Sequence, residues 1–198
     1  MAKISMKSGT LLAPLPAVMV SCGSAEKPNI VTVAWCGIIS SQPPMTYISL
    51  RPTRFSYNLI KESGEFVINL TSEELVRAAD WCGVYTGAKV DKFAKCRLTP
   101  EASTVVSCPA IAEAPVSIEC RVKNIQPLGS HDMFVSEIVA VNVREDLLDD
   151  AGKLRMDKAK LTTYSHGEYF ALGKKLGSFG FSVKKKSKPR KKVEKKTK

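Results

Sequence analysis

The sequence predicts a mainly β chain: an antiparallel barrel with a few short helices. Apolar and polar residues alternate with period two in several short stretches, the signature of half-buried strands. These stretches are divided by Gly, Pro, Asp and Ser turn signals instead of long helical repeats. Six or more such strands, mostly hairpin-connected, are enough to close a barrel. With 198 residues, 44% of them apolar, the chain suits one domain with a real core.

Residues 16–22 read as the first strand, turning at Gly23-Ser24. From Asn29, Val31, Val33 and Trp35 alternate with Ile30, Thr32, Ala34 and Cys36, so one face is bulky and the other small and partly polar. Pro43 and Pro44 turn the chain into a strand over residues 46–50, which runs straight into Arg51-Pro-Thr-Arg-Phe-Ser56. Residues 55–63 carry helical spacing at Tyr57, Leu59 and Ile60 and stop at Gly64. Residues 65–70 alternate Phe66, Ile68 and Leu70 with Val67 and Asn69, a buried strand. Thr71 and Glu74 have the spacing of a capping box and predict a helix through Trp81. A Gly-containing loop over 82–90 and a helical turn over 91–96 follow, and the chain is mostly strand from Val105 onwards. Residues 115–125 and 133–143 read as long neighbours joined near Leu128-Gly129-Ser130-His131, and Asp149-Asp150-Ala151-Gly152 as a turn.

The net charge of +11 is concentrated at one end. Residues 184–198 hold ten Lys or Arg against one Glu, while the remaining body is nearly neutral at +2. The domain is therefore expected over 1–183, with 184–198 a disordered polybasic tail that is too poor in apolar residues to bury itself. A near-neutral body gives no overall basic field for a specific nucleic-acid partner. No apolar run approaches the roughly 18 residues of a membrane span. Six cysteines without a C-x-x-C pair exclude a zinc ribbon or thioredoxin-type motif and point to a reducing, cytoplasmic setting. No metal site is expected. Two histidines, with neither H-E-x-x-H nor a nucleophile elbow, exclude the zincin and serine-hydrolase classes.

The small-residue face after Asn29 leaves room above the sheet for a flat ligand. The segment Arg51 to Ser56 brings two guanidinium groups and two hydroxyls to the start of a helix, where a phosphate is well held. Together they suggest a nucleotide or a flavin. Arg51, Thr53, Arg54 and Ser56 are the phosphate candidates, although Thr53 could simply cap the helix. Thr32, Ala34, Trp35, Cys36 and Gly37 are the ring candidates, with Asn29 at the start of their strand and Ser49 and Leu50 at the end of the next. On sequence alone a tryptophan at Trp35 is more commonly a core residue, and Cys36 lacks an evident partner or cation to make it a redox thiol.

The segments LPAVMVSCGS, NIVTVAWCGIISSQPP, SLRPTRFSYNLI, EFVINL, ADWCGVYTG, DKF, EAPVSIEC, GSHDMFVSEI and YFALG, in that order, resemble the flavin reductase-like family of FMN-binding split barrels, its flavoredoxin branch in particular. The resemblance covers about residues 9–183. It implies a split β-barrel with Greek-key-like connections, noncovalent FMN and a homodimer with the cofactor at its interface. It also implies that Lys92 of Asp91-Lys-Phe93 approaches the cofactor, where the residues alone read equally as a surface lysine on a helical turn, and that Trp81 either shields the site or fills the core. His131 matches the histidine of the Gly-Asp-His that many NAD(P)H-dependent members carry. That makes it the catalytic candidate, to orient a substrate or donate toward reduced flavin, with a solvated loop histidine as the alternative. Gly129-Ser130-His131 lacks the acid that precedes it in those members. The implied function is an FMN-binding oxidoreductase, a flavin reductase drawing electrons from NADH or NADPH and passing them to free flavin or a small acceptor. The alternative is an FMN electron carrier of flavoredoxin type, reduced by a protein donor.

Overall fold

The computed structural model describes residues 1–184, so the predicted tail lies, except for Lys184, outside the described residues. β1 (Val18–Gly23) and β2 (Pro28–Val33) form a hairpin paired from Val18↔Val33 to Gly23↔Pro28. Gly23 turns it at φ +89°, where any Cβ would collide with the Lys27 carbonyl. A second hairpin joins β3 (Cys36–Ser41) to β4 (Pro44–Leu50). α1 (Phe55–Ser63) ends at Gly64, whose left-handed φ of 69° lets its N–H bond the Ile60 carbonyl. β5 (Glu65–Leu70), α2 (Val76–Val84) and α3 (Lys92–Cys96) follow. The short pair β6 (Pro100–Glu101) and β7 (Ala110–Ile111) precedes the long hairpin β8 (Val116–Pro127) and β9 (Asp132–Val143). A last hairpin, β10 (Thr162–Ser165) and β11 (Glu168–Ala171), stands outside the main sheet.

The seven strands of the main sheet run β2-β1-β5-β8-β9-β4-β3 and pair antiparallel throughout. Its two edges, β2 and β3, are consecutive in the chain and separated by only Ala34 and Trp35. Laid flat, seven strands at ~4.8 Å spacing would put those edges roughly 29 Å apart. Three Cα steps reach no more than about 11 Å. The sheet must therefore curl until its edges meet, and the Ser49 N–H donates to the Trp35 carbonyl at 2.8 Å beside the seam. Each of these seven strands sends an apolar side chain into one interior: Val20, Val33, Cys36, Ile48, Phe66, Cys120 and Phe134, joined by Tyr57 and Ile60 of α1. On the outer face, Met19 and Ile30 pack against Leu75, Ala79, Cys82 and Phe93, which seats α2 and α3 over β1 and β2.

Two polar side chains replace apolar packing where strands meet loops. Asn69, wholly buried, donates to the Met19 and Val67 carbonyls and Ser21 Oγ, and its Oδ1 accepts from Ile111 N–H and Ser117 Oγ. Glu119 of β8, equally buried, accepts the backbone N–H groups of Thr104, Val105 and Val106 and the Asn142 amide. Burial opposes its ionisation, but those donors outweigh burial and hold the carboxyl below its usual range.

Three sequence expectations need correction. The strand expected to run on from Asn29 is two strands, because the inward phase slips: Val31 and Val33 face the core, and the next inward residue is Cys36, while Trp35 is exposed. The Thr71 capping box does not form. The Thr71 carbonyl accepts from the Thr162 backbone N–H and hydroxyl, its own hydroxyl is unpartnered, and Ser72 begins a 3-10 turn that leads into α2. α2 also runs past Trp81 to Val84, shortening the expected loop. The helix at 55–63 and the strand at 65–70 form with the expected bounds.

Candidate functional site

A cleft of about 280 Å³ opens at the seam of the barrel. Val31 to Trp35 supply one side, and Ser49, Leu50 and Arg51 enter from the end of β4. Ala17, Ala34 and Gly83 contribute surfaces with little or no side chain, which leaves width for a flat group. The site lies here because the seam is where the sheet's hydrogen-bond ladder is interrupted.

One end of the cleft is electropositive. Arg51 and Arg54 both line it, and Arg54 is the N-cap residue of α1. No side chain caps that helix and no acidic residue lies in its first turn, so its positive end is left without a counter-charge from its own sequence. Thr53 does not cap the helix; it is exposed in the turn before it. Two guanidinium groups beside an uncapped helix start form a donor set suited to phosphate.

The other side is aromatic. Trp35 and His131 lie against each other with ring centroids 4.4 Å apart and planes inclined at 38°. His131 Nδ1 meets Ser130 Oγ at 2.9 Å. Partial burial, followed by the positive charges of Arg51 and Arg54, holds the imidazole pKa below its ordinary value. The acid next to it points elsewhere: Asp132 accepts the buried Tyr57 hydroxyl at 2.6 Å, which anchors the end of β9 to α1. Tyr164 and Tyr169, in edge-to-face contact at 5.2 Å, come from the β10–β11 hairpin to form a wall the sequence reading did not assign. The signal for it was present, since His166-Gly167 between Thr162-Thr-Tyr-Ser165 and Glu168-Tyr-Phe-Ala171 has the form of a two-residue hairpin turn.

Thr32, Ala34, Trp35, Ser49, Leu50, Arg51, Arg54 and His131 thus meet at one cleft. Other predicted members stand outside its lining. Asn29 is buried and donates to Ser56 Oγ at 2.6 Å, so these two hold the start of α1 against β2. Thr32, although it lines the cleft, has its hydroxyl engaged with the Ala79 carbonyl of α2. Cys36 is a core residue whose thiol burial pushes up to about 12, and it points into the barrel interior and not into the cleft. Gly37 lies in the β3–β4 ladder, accepts from the Thr46 hydroxyl, and would press a Cβ onto the Tyr47 ring at 3.1 Å. Lys92 is neither a surface lysine nor a cleft residue. Its buried ammonium donates to the Ile30 and Cys82 carbonyls at 2.6 and 2.7 Å, tying α3 and α2 to β2, and burial lowers its pKa. Trp81 stacks on Tyr85 at 4.4 Å and packs on the outer core, away from the cleft lining.

Residues 11–173 match the family model described as the flavin reductase like domain. The fold superposes on flavoredoxin of Desulfovibrio vulgaris (Miyazaki F) with a TM-score of 0.85 and 34% identity, covering 92% of this chain and all of that one. Flavoredoxin from Methanosarcina acetivorans matches with a TM-score of 0.84 and 24% identity, covering 93% of this chain and all of the other. An uncharacterized protein of Archaeoglobus fulgidus is 36% identical over 130 residues, 66% of this chain and 73% of its own.

Proposed function

The chain belongs to the flavin reductase-like family, and from that premise we propose that it is an FMN-binding oxidoreductase, with the cofactor held noncovalently in the seam cleft and electrons drawn from NADH or NADPH for free flavin or a small acceptor. The observation that carries this reading is the joining of an electropositive end, Arg51 and Arg54 at the uncapped start of α1, to an aromatic wall of Trp35 and His131 in one cleft. The donor set fits a phosphate and the wall fits a planar ring. Bound FMN supplies the electron-accepting ring, which the protein itself lacks. Arg51 and Arg54 bind the phosphate, while Asn29 and Ser56 fix the helix start behind them. Trp35 orients the ring. His131, its pKa held down by burial and by the two arginines, borders the ring beside Trp35. Ser49 and Leu50 border the same ligand, and Lys92 secures the strand beneath it.

We also propose a homodimer. Ile38 and Ile39 are exposed on the edge strand β3 next to the seam, where a partner would cover both them and the mouth of the cleft. A second functional reading, an FMN carrier reduced by a protein donor, is supported by the 34% likeness to a flavoredoxin and by His131 lying directly on Trp35.

An anaerobic absorption spectrum before and after NADH or NADPH addition tests both readings. Yellow protein that bleaches with either nucleotide is the expected result. Yellow protein that bleaches only with dithionite would replace the reductase with the carrier, and protein that takes up no FMN would overturn both.

A further inference from the structure

Among the six cysteines, Cys82 on α2 and Cys96 at the end of α3 face each other, their sulfurs 3.7 Å apart. They are 14 residues apart in sequence, a spacing no redox motif announces. Cys82 is buried, whereas Cys96 is partly open and lines a groove of about 500 Å³ that shares no lining residue with the seam cleft. Arg77, Lys95 and Arg97 surround that groove, against Glu74 and Glu113. We propose that Cys82 and Cys96 are a redox-active dithiol, closed to an intramolecular disulfide by a hydroperoxide that enters this groove.

Access sets the order of events. The Cys96 thiolate attacks one peroxide oxygen, the O–O bond breaks, and the other oxygen leaves as hydroxide and is protonated to water. Cys96 is left as a sulfenic acid. The Cys82 sulfur then attacks the Cys96 sulfur; the S–O bond breaks and the hydroxyl departs as water with the Cys82 proton. Two thiols are oxidised by two electrons, and with hydrogen peroxide two waters leave. Burial pushes the Cys82 thiol up, consistent with its entering second, while Cys96 is the one of the two open to the groove. The sulfurs must close from 3.7 Å to about 2.05 Å, and Cys96 sits on a helix of only five residues. The cross-link would fasten α3 to the helix whose next residue, Gly83, lines the cleft.

The test uses the full chain, reduced, desalted, exposed to stoichiometric hydrogen peroxide, then quenched with an alkylating reagent and mapped by mass spectrometry. The expected product has two fewer alkylated thiols and a single cross-link joining the Cys82 and Cys96 peptides. Cys82→Ser should lose the cross-link and leave a sulfenic acid on Cys96 that dimedone traps, while Cys108→Ser should form the cross-link as the wild type does. Six alkylated thiols at tenfold excess peroxide, or a cross-link joining other cysteines, would overturn the proposal. The wild-type map decides the matter even if a serine variant fails to fold.

Discussion

Arg51 and Arg54 form no ion pair with a carboxylate among the described residues. Two such guanidinium groups beside a helix start gain most by sharing an anion. A hydrogen bond to a charged group is worth ~1.5–3 kcal/mol, so Arg51→Ala or Arg54→Ala should weaken FMN binding by about tenfold or more, read from quenching of flavin fluorescence. Arg51→Lys should recover part of the loss, because a lysine restores the charge but not the bidentate fork. Riboflavin, which lacks the phosphate, should bind wild type and Arg51→Ala alike; a matching loss for riboflavin would remove the phosphate from this end of the cleft. Glu119 illustrates the opposite use of a charge. Its carboxylate satisfies three consecutive loop amides, so Glu119→Gln should cost about 1–3 kcal/mol at neutral pH. Since its folded pKa is depressed, the stabilisation is complete above the unfolded value of about 4.3 and is lost as pH falls through the folded one. Urea unfolding of the two proteins should therefore converge in acid; a constant difference from pH 7 down to about pH 3 would contradict this linkage.

At the scale of elements, what was legible followed from local chemistry. α1 and β5 were readable because Gly64 stops one and the Phe66, Ile68 alternation defines the other within six residues. The break between β2 and β3 was not, since an alternating pattern records which residues face together but not that the phase slips at Ala34 and Trp35. Nor could the sequence show that the Thr71 carbonyl would be taken by Thr162, 91 residues away, in preference to a local cap. The same limit applies to Lys92: a lysine on a short helix reads as solvated until the carbonyls of Ile30 and Cys82 are seen to surround it. The cleft lining was legible where its residues lie close together in the chain, Thr32, Ala34 and Trp35 in one segment and Ser49, Leu50, Arg51 and Arg54 in the other. It was not where the wall comes from the distant Tyr164 and Tyr169. The loop between α2 and α3 makes its own prediction. A Cβ on Gly87 would overlap the Asn29 carboxamide and approach the Phe55 ring at 3.1 Å. Gly87→Ala should displace Asn29 from Ser56 and loosen the start of α1, weakening FMN binding several-fold with little change in secondary structure by circular dichroism. Unchanged affinity would show that Asn29 does not position the helix for the ligand.

For the whole molecule, the controlling fact is that the first and last strands of the sheet are neighbours in sequence. No expectation from alternation alone fixes that order; it follows from the crossovers that place β5, β8 and β9 between the two hairpins. The cleft is thus a product of closure, since one side comes from the edge strand β2 and another from the end of β4, the neighbour of the opposite edge β3, and these face each other only when the edges meet. A ligand seated across them binds the closed form and has no equivalent site on an open sheet, so in thermodynamic terms it acts as a clasp. Its entire binding free energy, RT ln(1 + [L]/Kd), then adds to barrel cohesion, about 2.7 kcal/mol at a hundredfold excess over Kd. The melting temperature should climb with the logarithm of FMN concentration above Kd, and amide exchange along β2 and β3 should slow together when flavin is present. Cofactor supply would in this way set how long the barrel stays shut.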